Sequence, residues 1–271
     1  MNKKIIIFTD LDGTLLDAST YSFKKALPAL GSIRSNNIPL ILCSSKTRPE
    51  IEHYRKQLKN SDPFISENGG GIFIPSDYFP FQPGVPGIKS SPEEKYFVIT
   101  LGARYSELRK TITALREEGL SIRGFGDMDT EEISRVTALS MEEATLSQKR
   151  DFDEPFLFDG DREVLLKKIA ELGFRHTQGR FDHILGNSDK GKAVGILSEL
   201  YRRKYGDIFT IALGDSLNDL PMLQTADCPV LLRKPDGSYD PRIELPNLVK
   251  AKGIGPEGWN SEILRILETG I

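Results

Sequence analysis

The stretch Ile5-Ile6-Ile7-Phe8-Thr9-Asp10-Leu11-Asp12-Gly13-Thr14 decides the fold. Ile5 to Phe8 form a short, wholly apolar run, as in a strand buried on both faces of a parallel sheet. Ligands of such sheets bind beyond the carboxyl ends of the strands. Asp10 therefore points into that crevice, and Asp12, two residues on, faces the same way. Two carboxylates so close repel each other, which favours a divalent cation between them or a proton on one. Both outcomes suit phosphoryl transfer: a carboxylate held on Mg2+ is a nucleophile, and a protonated one donates to a leaving alkoxide. Gly13 lets the chain turn sharply, because glycine accepts positive φ. The plainer alternative is an acidic surface turn.

Outward from this strand, short apolar runs alternate with amphipathic segments, the pattern of a parallel sheet flanked by helices. Phe23, Leu27, Leu30 and Ile33 recur at helical spacing over 21–36, 38–43 is a second buried strand, and 49–58 is a second helix. From about 75 to 87 the composition shifts to proline, glycine and aromatics, with a further proline at 92, as in a connection between units. Beyond it the pattern predicts a strand over 96–101, a helix over 104–118 and paired strands over 174–178 and 181–185. Ser140 and Glu143 have capping-box spacing and open another helix. After 187 the earlier pattern returns, with a helix from Asp189, a strand over 208–213, a short last strand over 230–232 and a final helix over 261–267. The expected fold is α/β. Residues 1–82 and 187–271 form a parallel-sheet core with helices on both faces, and 83–186 form an inserted α/β cap, hinged at 83–87 and 186–189.

Three further signals lie at predicted strand ends or helix starts. In Gly214-Asp215-Ser216-Leu217-Asn218-Asp219, Asp215 and Asp219 converge if a helix starts near Ser216. Magnesium takes hard oxygen ligands, usually one or two carboxylates with water and phosphate oxygens. Asp10 and Asp215 can supply these, with the Asp12 carbonyl as a third; the alternative for Asp215 and Asp219 alone is helix capping. Ser44, ending the second strand, can hydrogen-bond a phosphoryl oxygen beside a helix start that favours anions, or act as a plain cap. Lys190 can neutralise both nucleophile and phosphate, or sit on the surface.

These four pieces, in this order, resemble the motifs of the haloacid dehalogenase superfamily of phosphohydrolases. The resemblance implies a Rossmann-like core and an aspartyl-phosphate on Asp10. Asp12 would protonate the leaving group and then activate water, with Ser44 and Lys190 on the phosphate. Mg2+ would be held by Asp10, Asp12 and Asp215 and supported by Asp219. A closer resemblance is to the mannosyl-3-phosphoglycerate phosphatase family, carried by Leu42-Cys43-Ser44-Ser45-Lys46-Thr47-Arg48, Glu67-Asn68-Gly69-Gly70, Gly179-Arg180-Phe181-Asp182-His183 and Gly255-Pro256-Glu257-Gly258-Trp259. It implies a glycosyl-3-phosphoglycerate substrate, the sugar being mannose or glucose. It also implies substrate contacts from Ser45, Lys46, Arg48, Glu67, Asn68, Gly69, Arg180, His183 and Asn218. Arg180 suits a carboxylate. His183, three residues on in an extended segment, would face the other side, and a packed core histidine is the alternative. Competing readings are a sugar-phosphate phosphatase of other specificity, a phosphohexomutase and a non-enzymatic phospho-ligand sensor.

Composition bounds the rest. With 271 residues, 38% hydrophobic and 28% charged, the chain can bury a sizeable core. A net charge of −3, without a dense Lys/Arg run, argues against nucleic acid and leaves a small anionic phosphorylated sugar-glycerate as partner. No apolar run approaches the roughly 20 residues of a membrane span, and the N-terminus lacks a signal-like region. Two cysteines, Cys43 and Cys228, are too few for a disulfide framework and too far apart for a metal site, and read as buried thiols in a reducing cytoplasm. Oligomeric state is left open.

Overall fold

A computed structural model describes residues 3–269. In chain order the elements are β1 (Lys4–Thr9), α1 (Leu27–Ser35), β2 (Leu40–Cys43), α2 (Arg48–Leu58), β3 (Phe64–Ser66), β4 (Gly71–Pro75), β5 (Ser90–Pro92), β6 (Tyr96–Thr100), α3 (Tyr105–Glu117), β7 (Ser121–Gly124), α4 (Thr130–Thr137) and α5 (Met141–Ser147). They continue with β8 (Asp153–Asp159), α6 (Arg162–Glu171), β9 (Arg175–Gln178), β10 (Asp182–Leu185), α7 (Lys190–Tyr205), β11 (Ile208–Gly214), α8 (Leu220–Thr225), β12 (Cys228–Arg233), β13 (Val249–Ile254) and α9 (Gly255–Thr269).

A nine-stranded sheet runs β13-β12-β11-β1-β2-β3-β4-β6-β5, parallel from β13 to β3 and antiparallel thereafter. The apolar run of β1 is explained by this position. Ile7 packs with Leu30, Ile51 and Trp259 on one face, while Ile6 and Phe8 pack with Leu197, Tyr201 and Met222 on the other. Successive side chains point to opposite faces, so a strand covered by helices on both sides must be apolar throughout. Helix α2 begins where expected, because Thr47 and Glu50 form a reciprocal capping box and Pro49 occupies the first turn. Cys43 is buried, and Cys228 is half-buried rather than closed off; neither is in a disulfide.

The second sheet, β7-β8-β10-β9, is wholly antiparallel and packs against α3 and α6. Its start corrects the expected boundary. Strands β5 and β6 extend the large sheet through pairing of β6 with β4, so 83–101 lies in the core rather than in the inserted unit. The expected hinge at 83–87 therefore falls ahead of two core strands. The chain leaves the large sheet at Leu101 and Gly102, whose N–H groups both donate to the Gly70 carbonyl at 2.9 Å. It returns at Gly186, where a Cβ would come within 2.5 Å of the Ala103 nitrogen. Proline, glycine and aromatic content marked the region of the connection, but β-pairing, which is non-local, sets its edge.

Strands β5, β7 and β13, helix α4 and a helix turn were not expected. Strands β7 and β13 are short and polar, with one face exposed. Helix α9 begins at Gly255, so Gly255-Pro256-Glu257-Gly258-Trp259 is its first turn and not the approach to it. That turn seats Trp259, fully buried, with its Nε1 donating to Thr9 Oγ1 at 3.0 Å at the end of β1. No helix among the described residues is long and apolar enough to cross a membrane.

Candidate active site

Strands β1 and β11 are parallel neighbours, so their carboxyl ends place Asp10 and Asp215 side by side. The Asp10 N–H donates to the Leu213 carbonyl at 2.9 Å, continuing the ladder one residue beyond β1. Lys190, at the first position of α7 and fully buried, donates to Asp10 Oδ1 and Asp219 Oδ1, both at 2.6 Å. Asp219 Oδ2 accepts the backbone N–H of Asp215 at 3.0 Å and of Ser216 at 3.1 Å. It is a rigid support: it fixes both the turn that carries Asp215 and the lysine that meets Asp10. Asp215 accepts from Ser216 Oγ at 2.9 Å and Thr14 Oγ1 at 3.4 Å. Gly13 has φ +79°, and a Cβ there would sit 2.9 Å from Asp215 Oδ2, so the turn needs glycine for both conformation and space.

Carboxylate oxygens of Asp10, Asp215 and Asp219 lie within 4.8 Å of one another. Burial, ahead of repulsion from Asp219, pushes the Asp215 carboxyl up to about 7. Burial likewise raises Asp10 well above the carboxylate range, against the opposing charge of Lys190. Burial pulls Lys190 down, but the charges of Asp10 and Asp219 outweigh it and keep the ammonium protonated. Three buried carboxylates around one lysine leave negative charge that a divalent cation would balance, and hard oxygen donors suit Mg2+ or a cation like it. The donor set fits a metal.

Asp12 Oδ2 lies 3.1 Å from Lys46 Nζ, while its Oδ1 is buried with no hydrogen-bond partner. Lys46 is shared with Glu50 Oε1 at 3.5 Å and lies over the Tyr21 and Tyr54 rings. Ser44 is buried at the end of β2, where its Oγ accepts the Lys46 N–H at 3.2 Å. A cavity of about 460 Å³ opens beside these groups, though Ser44 does not line it; its core lining is Asp10, Asp12, Ser45, Lys46, Asp215 and Asn218, and that from the second sheet and its loops is Arg150, Gly179, Arg180, Phe181 and His183.

Arg180 and His183 both line the cavity, against the alternation expected of an extended segment. The chain turns at Gly179, whose N–H donates to the Phe181 carbonyl at 3.0 Å, and β10 begins only at Asp182. Arg180 Nη1 donates to the Tyr21 hydroxyl at 2.7 Å. His183 Nδ1 lies 3.1 Å from Asp153 Oδ2.

Four of the residues expected to contact substrate are engaged elsewhere in the structure. Arg48 donates to Glu52 at 3.1 Å and Glu93 at 2.8 Å, lies over Phe73 and Tyr96, and does not line the cavity. Glu67 is fully buried and accepts the backbone N–H groups of Asp151, Phe152 and Asp153 at 2.7–3.0 Å. Asn68 bridges Asn218 at 3.0 Å and Asp153 at 2.8 Å. Gly69 lies against the start of α7, where a Cβ would come 2.2 Å from the Asp189 carbonyl oxygen. Glu67-Asn68-Gly69 thus joins the two sheets, and its polar groups are used up in doing so. Sequence reasoning missed Tyr21, Phe125, Arg150 and Lys234 at the cavity. The charged run Arg150-Asp151-Phe152-Asp153 ahead of a strand, and Lys234-Pro235-Asp236-Gly237 after one, were the available signals.

Comparison with known proteins agrees with this geometry. A haloacid dehalogenase-like hydrolase family model matches residues 7–80. The chain is 47% identical over 270 residues to the glucosyl-3-phosphoglycerate/mannosyl-3-phosphoglycerate phosphatase of Methanococcoides burtonii, with 97% of each chain covered. It is 39% identical over 228 residues to the mannosyl-3-phosphoglycerate phosphatase of Pyrococcus furiosus, covering 84% of this chain and 90% of that one. Among solved structures, the sucrose-phosphatase of Synechocystis, in complex with sucrose and phosphate, shares the fold with a TM-score of 0.61 at 14% identity, over 97% of this chain and 98% of that one.

Proposed function

The chain belongs to the mannosyl-3-phosphoglycerate phosphatases of the haloacid dehalogenase superfamily, and we propose that it removes phosphate from mannosyl- or glucosyl-3-phosphoglycerate through an aspartyl-phosphate on Asp10. The observation that carries this reading is that Asp10 and Asp215, backed by the buried Lys190 and Asp219, lie at the floor of a cavity whose far wall holds Arg180. Asp10 Oδ1 is held by Lys190, and its Oδ2 has no partner among the described residues. That oxygen attacks phosphorus, and the Asp10–phosphorus bond forms as the ester bond to the leaving oxygen breaks. Asp12 gives its proton to that oxygen, then takes one from the water that attacks phosphorus, which frees Asp10 and inorganic phosphate. Asp10, Asp215 and the Asp12 carbonyl would hold Mg2+, with Asp219 behind them; when bound, the cation neutralises phosphoryl charge. Lys190 supplies a fixed positive charge beside the same oxygens.

The far half of the cavity suits the rest of such a substrate. Phe125 and Phe181 pack edge to face 5.1 Å apart and, with Leu139, give an apolar wall for a sugar ring. Arg180 pairs with no carboxylate among the described residues and is available to the glycerate carboxylate. Phosphate release should be measured on mannosyl- and glucosyl-3-phosphoglycerate, on hexose phosphates and on p-nitrophenyl phosphate, with chelation and Mg2+ add-back. Fast release from the glycosyl-3-phosphoglycerates, stopped by chelator and restored by Mg2+, is expected. Isomerisation without net phosphate release, or equal rates across the panel, would overturn the assignment.

A further inference from the structure

Four cationic side chains, Lys46, Arg150, Arg180 and Lys234, line the cavity among the described residues. Two of them are shared between carboxylates. Lys46 lies between Asp12 and Glu50. Arg150 lies 2.7 Å from Asp153 Oδ1 and 3.8 Å from Glu67 Oε2. Neither has positive charge in excess. Arg180 donates to the Tyr21 hydroxyl and lies over the Phe181 ring, and pairs with no carboxylate among the described residues.

Lys234, on the loop after β12, differs from all three. Its Nζ lies 3.0 Å from Asp240 Oδ2, but Arg242 already grips that carboxylate. Arg242 Nε donates to Oδ1 at 2.9 Å, its Nη2 to Oδ2 at 2.7 Å, and its backbone N–H to Oδ1 at 3.1 Å. Hydrogen bonding to Arg242, more than to Lys234, holds the Asp240 carboxyl well below its ordinary range. Lys234, Asp240 and Arg242 together carry one net positive charge, and Asp240 stays paired if Lys234 turns away. The Lys234 side chain is 30% exposed, whereas that of Asp240 is closed off. Arg242 also reaches the second sheet, where its Nη1 donates to Gln178 Oε1 at 2.8 Å, two residues before Arg180.

We propose that Lys234 is a substrate-contacting residue, taking the glycerate carboxylate from the core side of the cavity while Arg180 takes it from the opposite side. This inference rests on the glycosyl-3-phosphoglycerate reading above. Lys190 already serves the phosphate end and is fully buried there. The substrate's second anionic group lies only a few bonds from phosphorus, so it needs a cation near the crevice but separate from Lys190. Lys234 lines the same cavity as Asp215 and Ser216 and meets that requirement. Arg242 neutralises Asp240 and touches Gln178, which leaves the charge of Lys234 uncommitted.

The test is the ratio of kcat/KM on a glycosyl-3-phosphoglycerate to kcat/KM on p-nitrophenyl phosphate, which has no carboxylate. Lys234→Met should lower that ratio roughly tenfold, chiefly through KM for the glycosyl ester, as a lost charge-assisted hydrogen bond does. Lys234→Arg should recover most of it. The Ki of the phosphate-free glycosylglycerate product should rise by a similar factor in Lys234→Met. An unchanged ratio and Ki, or equal losses on both esters, would overturn the inference. Should Lys234→Met be unstable, Lys234→Gln is read by the same ratio and the same Ki. A wild-type enzyme inactive on glycosyl-3-phosphoglycerates yet active on p-nitrophenyl phosphate would instead remove the substrate reading, and this inference with it.

Discussion

Two groups of buried charge lie close together in this molecule and behave in opposite ways. At the crevice, Asp10, Asp215, Asp219 and Lys190 meet at the strand ends, and Asp10 and Asp215 face a cavity. At the seam between the sheets, Glu67, Asp153 and Asn68 are equally buried but face one another, the backbone and Arg150, whose side chain also borders the cavity. Glu67 accepts three backbone N–H groups, Arg150 Nη2 donates to the Ser45 carbonyl at 2.6 Å, and its Nε donates to the Asp153 carbonyl at 3.0 Å. What they face separates the two, not the direction of their shifts. Burial raises Asp10 and Asp215 at the crevice and also pushes Glu67 at the seam up to about 8, while Arg150, with His183 and Asn68, outweighs burial and lowers Asp153 there. Strongly perturbed groups that face a cleft mark chemistry, and those turned inward mark structure.

Substitution should split the groups cleanly. Asp10→Asn removes the nucleophile and should cut turnover by on the order of 10⁴–10⁶-fold, and Asp12→Asn by roughly 10²–10⁴-fold. Both should leave the unfolding midpoint within a few degrees of wild type by calorimetry. Near wild-type turnover in Asp10→Asn would break the comparison on the crevice side.

Glu67→Ala should show the reverse pattern. It strands three backbone donors and removes one of Arg150's two carboxylates, at a cost of about 3–5 kcal/mol. At roughly 2–4 °C per kcal/mol for a chain of this size, thermal unfolding should move down by roughly 6–20 °C. Unchanged stability with lost turnover would make the seam part of the chemistry. Arg180→Ala should give the smallest effect, on the order of ten- to a hundredfold in kcat/KM on a glycosyl-3-phosphoglycerate and much less on p-nitrophenyl phosphate. Equal losses on both would make Arg180 structural.

The crevice was legible in the sequence because its residues sit at fixed offsets from apolar strands. Asp10 and Asp215 follow such runs directly, and Lys190 follows a helix-capping Asp189 that accepts the Lys192 N–H at 2.8 Å. The seam was legible only as a motif. Glu67 and Asn68 both take positive φ, 48° and 54°, and turn their side chains into contacts some eighty residues away, which local pattern does not encode. Lys234 escaped for a related reason, since its neighbours Asp240 and Arg242 lie on an irregular loop. The edge of the inserted unit was displaced because β6 pairs with the core strand β4, and β5 with β6, beyond a proline-rich connection that reads as a linker.

The central claim is that phosphorus passes through Asp10. p-Nitrophenolate leaves without needing a proton, so in Asp12→Asn the first step survives while hydrolysis of the phospho-enzyme slows. Acid quench of Asp12→Asn turning over ³²P-labelled p-nitrophenyl phosphate, followed by peptide mapping, should find label on Asp10 approaching one phosphate per chain. The Asp10→Asn/Asp12→Asn double variant should carry none. Phosphate release from Asp12→Asn with no protein-bound label at any quench time would contradict the covalent route.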